Sequence, residues 1–360
     1  MTRAAILAVL CLATTCTVQL GDGDRRVVAR ELATGVIVPT LDDVVVRAAE
    51  LAESLQRLAI MPAIPQLDAA QAAWRAARVP WKESDVFGFG PAKDLSLDVA
   101  IDQAVDPSKI ELEVVGTETI SEAYVDGIGA NRKGFHAIEY LLFRGNDDAG
   151  VLASLTTDPL AARRRDLLVA YAQNLERKAR ELDAAWVGDY ASRIAEPGSA
   201  NMEYPTIKSV IDTVVNESVF QAELVADARI GKPLGTASGG TPQPVLEESG
   251  PSDNSLADMA SALRGIRNAY FGTRNGIPGK GIGQLVAARS PALDRDVREA
   301  IDAALAAVAT IPSPYRTALL ELRPEILTAH DAVKELKRLL ATEVVGTLGS
   351  TLKFNDNDGD

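Results

Sequence analysis

Cysteine is nearly absent from this chain. Of 360 residues only Cys11 and Cys16 are cysteines, and both lie at the extreme N-terminus. The body therefore has no disulfide, no thiolate metal site and no cysteine nucleophile. Histidine is equally scarce: His136 and His330 are the only two. A His-Glu-x-x-His helix is missing, which disfavours a zincin-type protease. Positive charge is also in deficit, with 37 basic against 50 acidic residues and a net charge of −13. Phosphate backbones attract Lys and Arg, so nucleic acid is excluded as a general partner. Alternation of apolar and polar residues, the mark of a half-buried sheet, is not found over any run of several strands.

What is present begins with a targeting segment. Arg3 supplies a positive start, Ala4 to Ala13 is uncharged and apolar, and small residues follow up to Cys16. This reads as a secretory signal peptide over residues 1–16, too short to span a membrane. The chain is thus expected to be exported. Ala13-Thr14-Thr15-Cys16 is a loose match to a bacterial lipoprotein cleavage box. Two outcomes stay open: plain cleavage into the periplasm, or lipid attachment at Cys16 and a place at the outer membrane or cell surface. In either case a lipid is the only membrane contact expected.

Helical periodicity dominates the rest. Leu41, Val44, Val45, Ala48, Leu51, Ala52 and Leu55 form one apolar stripe. Leu160, Leu167, Tyr171, Leu175, Leu182 and Trp186 form another after Asp158-Pro159; Ile207 to Ser218 continue the pattern. Further stripes follow Ser290-Pro291 and Pro324. Each of these Pro residues suits a first helical turn. The predicted fold class is all-α, built from antiparallel helical bundles. Gly, Pro, Ser and Thr crowd between residues 231 and 254, which predicts a linker or long loop between halves at about 28–230 and 255–360. A second irregular region is expected from Val79 to Ser108, after a helix over Leu67 to Arg78.

One short motif carries chemistry. In His136-x-x-Glu139 the two side chains share a helix face, so an imidazole and a carboxylate can converge on one ion. This donor pair suits iron and other divalent metals. The alternative is a histidine satisfied by its own helix neighbour. Two donors do not complete a metal site, so further ligands must come from elsewhere. Gly134 removes bulk beside the pair. His330, beside Ala329 and Val333, reads as a partly buried structural residue. Trp74 reads as core and Arg75 as either a solvated charge or a planar clamp for an anion. Ser255 and Asp258 open the helix after the linker, one as a cap and the other free to face the junction. Asn216 and Glu217 interrupt an apolar stripe, so one is expected to turn inward.

The segment Arg132-Lys-Gly134-Phe-His136-Ala-Ile-Glu139-Tyr-Leu-Leu-Phe-Arg144-Gly145 resembles the signature of the imelysin family, Gly-x-His-x-x-Glu. Matching pieces occur in the same order: Ala73-Trp74-Arg75, Phe89-Gly90-Pro91, Pro233-Leu234-Gly235, Asn254 to Asp258, and the ending Thr351 to Asp360. The resemblance implies a periplasmic or surface-anchored protein of two helical-bundle domains. Its functional site would lie at their junction and include His136 and Glu139 as metal ligands. Gly134, Trp74, Arg75, Arg132, Ser255 and Asp258 are the candidate ligand contacts. The family links to iron-regulated proteins of iron uptake, so the expected cofactor or cargo is iron or another divalent metal, or a small iron-containing ligand. Other envelope iron-uptake components are the expected partners. A metallopeptidase and a surface adhesion or polysaccharide-binding module are the competing functions. The acidic ending Asn355 to Asp360 resembles the start of a calcium loop but stops before its bidentate acid.

Overall fold

The computed structural model describes residues 21–353. The signal segment, Cys16 and the acidic ending lie outside the described residues. Among the described residues helix is the only extended regular structure; a single backbone bridge joins Arg274 and Ile277. No helix among them is long and apolar enough to cross a membrane.

Helix α1 (Asp22–Leu32) runs through a π-helical turn (Ala33–Ile37) into α2 (Val38–Ile60). Pro39 has no N–H to give to residue 35, so the turn before it widens. The α2 stripe buries Leu41, Val44, Ala48, Leu51 and Leu55, as its spacing predicts. Residues 61–63 then turn the chain into α3 (Ile64–Ser84). This helix does not stop near Arg78. It continues through Pro80, which costs one backbone bond to Ala76 but leaves the packed face of Trp74, Ala77 and Trp81 intact. Much of the remainder of the expected irregular stretch is also helical, in short pieces that include α4 (Leu97–Asp102).

Next come α5 (Phe135–Phe143) and α6 (Ala161–Ala185). The Asp158 side chain accepts from the Leu160 amide at 2.7 Å, just ahead of α6. Helix α7 (Ile207–Glu223) opens on a capping box between Thr206 and Ser209. Then follow α8 (Ser255–Phe271), α9 (Pro291–Ala309), capped by Ser290, and α10 (Arg323–Arg338).

Helix α2 packs against both α3 and α6, while α7, α8, α9 and α10 pack on one another. The chain enters this second group with α7, before residues 231–254 are reached. The packing of α3 on α8 joins the two groups, and the apolar core is continuous from Val28 to Leu348. Residues 231–254 begin on the end of a helical segment, with a last helical turn at Lys232–Leu234, and then form turns around one short 3₁₀ segment, Pro244–Leu246. Ser249 and Ser252 in this stretch are fully buried. The segment is thus packed into the seam rather than strung across solvent.

Candidate functional site

The site grows out of the packing face of α3. Leu67, Ala70, Gln71, Trp74, Ala77, Arg78, Trp81 and Lys82 are among its buried residues. The helical repeat that buries the aromatics therefore carries two cations inward, at four and eight residues beyond Trp74. Arg78 is wholly buried and Lys82 nearly so.

Gly134 fixes the opposing wall. Its φ is +79°, and a Cβ there would lie 2.3 Å from the Ile101 carbonyl oxygen. Only glycine lets the start of α5 press against the end of α4. That contact sets His136 beside Asp102, with the imidazole Nε2 3.3 Å from Asp102 Oδ1. On the other edge of the ring, His136 Nδ1 hydrogen-bonds Glu139 Oε2 at 2.7 Å. Glu139 Oε1 accepts from the Ser252 amide at 3.1 Å and its hydroxyl at 2.7 Å. Both Glu139 oxygens are engaged away from Nε2. A carboxylate behind a histidine in this way orients the ring and directs Nε2 outward as a donor.

Nε2 faces a group drawn from three parts of the chain. Asp102, His136 and Glu248 each offer one donor atom, all within 4.8 Å of one another. Trp81 Nε1 and Lys82 Nζ donate to Asp102 Oδ2 at 2.8 and 2.6 Å. Arg78 pairs with Asp102 and binds Asp258 through two nitrogens, at 2.8 and 3.3 Å. It also reaches Glu248 Oε1 at 3.2 Å. Lys82 bonds Glu248 as well, and Arg229 Nε holds Glu248 Oε2 at 2.8 Å.

This charge balance sets the protonation. Burial raises the Asp102 carboxyl, but Arg78, Lys82 and His136 outweigh it and hold the group far below the usual carboxylate range. Glu248 behaves alike: burial is overcome by Arg229, Lys82 and Arg78. Burial lowers His136, and the Glu139 hydrogen bond and the Asp102 charge more than reverse it, so its pKa is raised. Two ionised carboxylates and an oriented imidazole fit a borderline divalent metal such as ferrous iron, provided the metal displaces the ring proton that the raised His136 pKa favours. Lys82, Arg78 and, on Glu248 Oε2, Arg229 are the groups that a cation would meet there.

His136 and Glu248 line a cavity of about 780 Å³, whose wall also includes Val105, Pro107, Tyr140, Pro244 and Val245, while Asp102 faces a second cavity. The second cavity, about 470 Å³, lies on the Lys82 side and shares Glu248 with the first.

The other residues singled out in the sequence are placed as follows. Trp74 is fully buried and its indole donates to the Phe135 carbonyl at 3.0 Å, bracing the start of α5. Arg75 donates to the Ser252 carbonyl at 3.0 Å and stacks over Phe143, which pins the 231–254 segment. Asp258 anchors Arg78, and the Ser255 hydroxyl donates to Glu247 at 2.8 Å. Arg132 is not brought to the cluster; it pairs with Glu113 at 2.7 Å. The sequence reading missed Arg78, Lys82, Asp102 and Glu248. The two cations were signalled by their register with Trp74. Asp102 and Glu248 lie in stretches without periodicity, and only the tertiary fold brings them together.

An all-α protein with a histidine–carboxylate cluster under a largely apolar cavity is the class that fold and site define. The chain belongs to the imelysin family: that family's model (Peptidase_M75) matches residues 37–342. Iron-regulated protein A of Synechococcus elongatus is 30% identical over 318 residues, 86% of this chain and 83% of that one. The crystal structure of a protein described as an iron-regulated protein A precursor, from Parabacteroides distasonis, superposes with a TM-score of 0.79 at 24% identity. The match covers 92% of this chain and 96% of that one. An imelysin-like protein from Psychrobacter arcticum superposes with a TM-score of 0.71 at 14% identity, over 93% and 99% of the two chains.

Proposed function

We propose that this chain binds iron, or a small iron-containing ligand, as an exported component of iron acquisition in the bacterial cell envelope. The observation that carries the reading is the convergence of Asp102, His136 Nε2 and Glu248 within 4.8 Å, with His136 and Glu248 on the wall of the larger cavity and Asp102 on that of the second. Family membership and a relative named for iron regulation support the same direction. In this reading Glu139 orients His136 and is not itself a ligand. Asp258 and Arg78 position Asp102 and Glu248. Trp74, Arg75, Gly134 and Ser255 hold the walls. The cavity is large enough for a small chelate as well as a hydrated ion. Residues 1–16 act as the export signal, with Cys16 as the candidate lipid site. Other envelope iron-uptake components would receive the cargo.

A hydrolytic reading is weaker. Metal-assisted hydrolysis needs a base beside the activated water. Glu139, the acid adjoining the histidine in sequence, is spent on His136 and Ser252.

Titration of the metal-free protein with ferrous iron under anaerobic conditions tests the proposal. Saturable binding at one site, weakened about a hundredfold or more in His136→Ala, is expected. Binding unchanged in that variant would remove the site from its place.

A further inference from the structure

Three cations already stand on the proposed donors: Arg229 holds Glu248 Oε2 and also Asp85, while Arg78 and Lys82 each reach both Asp102 and Glu248 and are held differently. Arg78 is wholly buried, gripped by both oxygens of Asp258 and stacked near Phe135 and Trp74. It is fixed on the α8 side whatever happens at Asp102. Lys82 has no such second clamp. Its ammonium bridges Asp102 and Glu248, the two carboxylates that a metal would need. Its remaining partner is Asp85, on the wall of the second cavity, whose Oδ2 lies 3.5 Å away and also accepts from Arg229 at 2.6 Å, so Lys82 would share that carboxylate. A lysine is a point charge on a flexible four-carbon stem, so it can change partners by rotation of its own side chain.

A divalent cation arriving among Asp102, His136 and Glu248 would sit within a few ångströms of this ammonium. At such a separation the repulsion is too large to bear in a site screened from water. The second cavity, about 470 Å³, gives the side chain somewhere to go.

We infer that Lys82 is a tethered cation that bridges Asp102 and Glu248 in the absence of cargo and withdraws toward Asp85 when a divalent cation binds. The inference rests on the donor set proposed above. Two consequences follow. A monovalent ion that replaces the ammonium gains no charge, whereas a divalent ion does, so Lys82 discriminates by charge. The exchange also weakens holding, because each binding event must displace an ion pair. That suits a cargo destined to be passed on.

Manganese(II), an air-stable divalent probe, tests this by calorimetric titration of the full mature chain, with melting of the metal-free protein followed in parallel. In Lys82→Met the competitor is gone and two carboxylates are left facing each other. Binding about tenfold tighter or more is expected, together with a lower melting temperature without metal. Asp85→Asn removes the retreat partner at a partly buried position, and affinity should fall about threefold. A folded Lys82→Met that binds no more tightly than the wild type overturns the inference and leaves the donor set standing. Binding by Lys82→Met where the wild type shows none supports it. Failure of both proteins to bind removes the donor set and the inference together. If Lys82→Met does not fold, Asp85→Asn decides: weaker binding supports the exchange, and unchanged binding overturns it.

Discussion

His136 and His330 are buried to nearly the same degree, 7% and 6% exposed, and each sits on a helix near acidic side chains. Their surroundings differ in what converges. His136 Nδ1 is fixed by Glu139 at 2.7 Å, and its Nε2 looks onto Asp102 and Glu248. Those carboxylates are themselves held by Arg78, Lys82 and Arg229. His330 Nδ1 makes no hydrogen bond, and its nearest acids, Asp331 and Asp227, stand at 3.6 and 4.0 Å. It packs near Gly231 on the α10 face. Burial of a histidine therefore says little about function. Orientation of one ring nitrogen, with charged donors gathered at the other, is what separates a site from a packed residue.

The comparison can be broken most severely at Arg78, which neutralises three carboxylates. Arg78→Met leaves buried negative charge uncompensated and should cost about 3–5 kcal/mol in urea unfolding. His330→Ala should cost far less, and equal losses would erase the distinction. Second in size is the contrast in binding. His136→Ala should weaken iron binding by about a hundredfold or more, since one of three donors is lost. His330→Ala should leave it within about twofold, because no donor set converges there. Third is Glu139→Gln, which keeps the shape but weakens the orienting bond. Iron affinity should fall about tenfold to a hundredfold, with the site still able to load at high metal. Loss as complete as in His136→Ala would make Glu139 a direct ligand.

The smallest effect concerns an acid outside the cluster. Burial raises the Glu217 carboxyl to about 7, against an ordinary 4.5, despite Lys93 and Lys353 nearby. The folded state thus binds a proton that the unfolded state has released between those values. Stability falls as pH rises through that window. Glu217→Gln should be more stable than the wild type by about 1 kcal/mol near pH 8, after allowance for solvent screening, and equal to it below about pH 4. A gap that does not close on acidification would contradict the assignment.

Much of the fold is legible in the sequence because its helices are amphipathic. The stripes of α2, α6, α9 and α10 follow helical spacing, and Ser290-Pro291 marks the start of α9 where the structure has it. The end of α3 was not legible, since Pro80 reads as a stop and only packing on either side carries the helix past it. Within the site, Gly134, His136 and Glu139 stand out as a motif. The role of Gly134 did not: it admits the Ile101 carbonyl, not a ligand. Asp102 and Glu248 could not be found from local pattern. One ends a six-residue helix and the other lies in the Gly- and Pro-rich segment, and nothing in either stretch says which carboxylate faces inward. Arg78 and Lys82 lie four and eight residues beyond Trp74, and that shared helix face was the one signal for them in the sequence.

The central claim is that Asp102, His136 and Glu248, rather than His136 and Glu139, form the metal-binding set. Anomalous scattering at the iron edge from iron-loaded crystals tests it most directly. The account predicts one strong peak about 2 Å from His136 Nε2 and from an oxygen each of Asp102 and Glu248, with Glu139 still bonded to Nδ1. A peak coordinated by Glu139, or one away from His136, would contradict it.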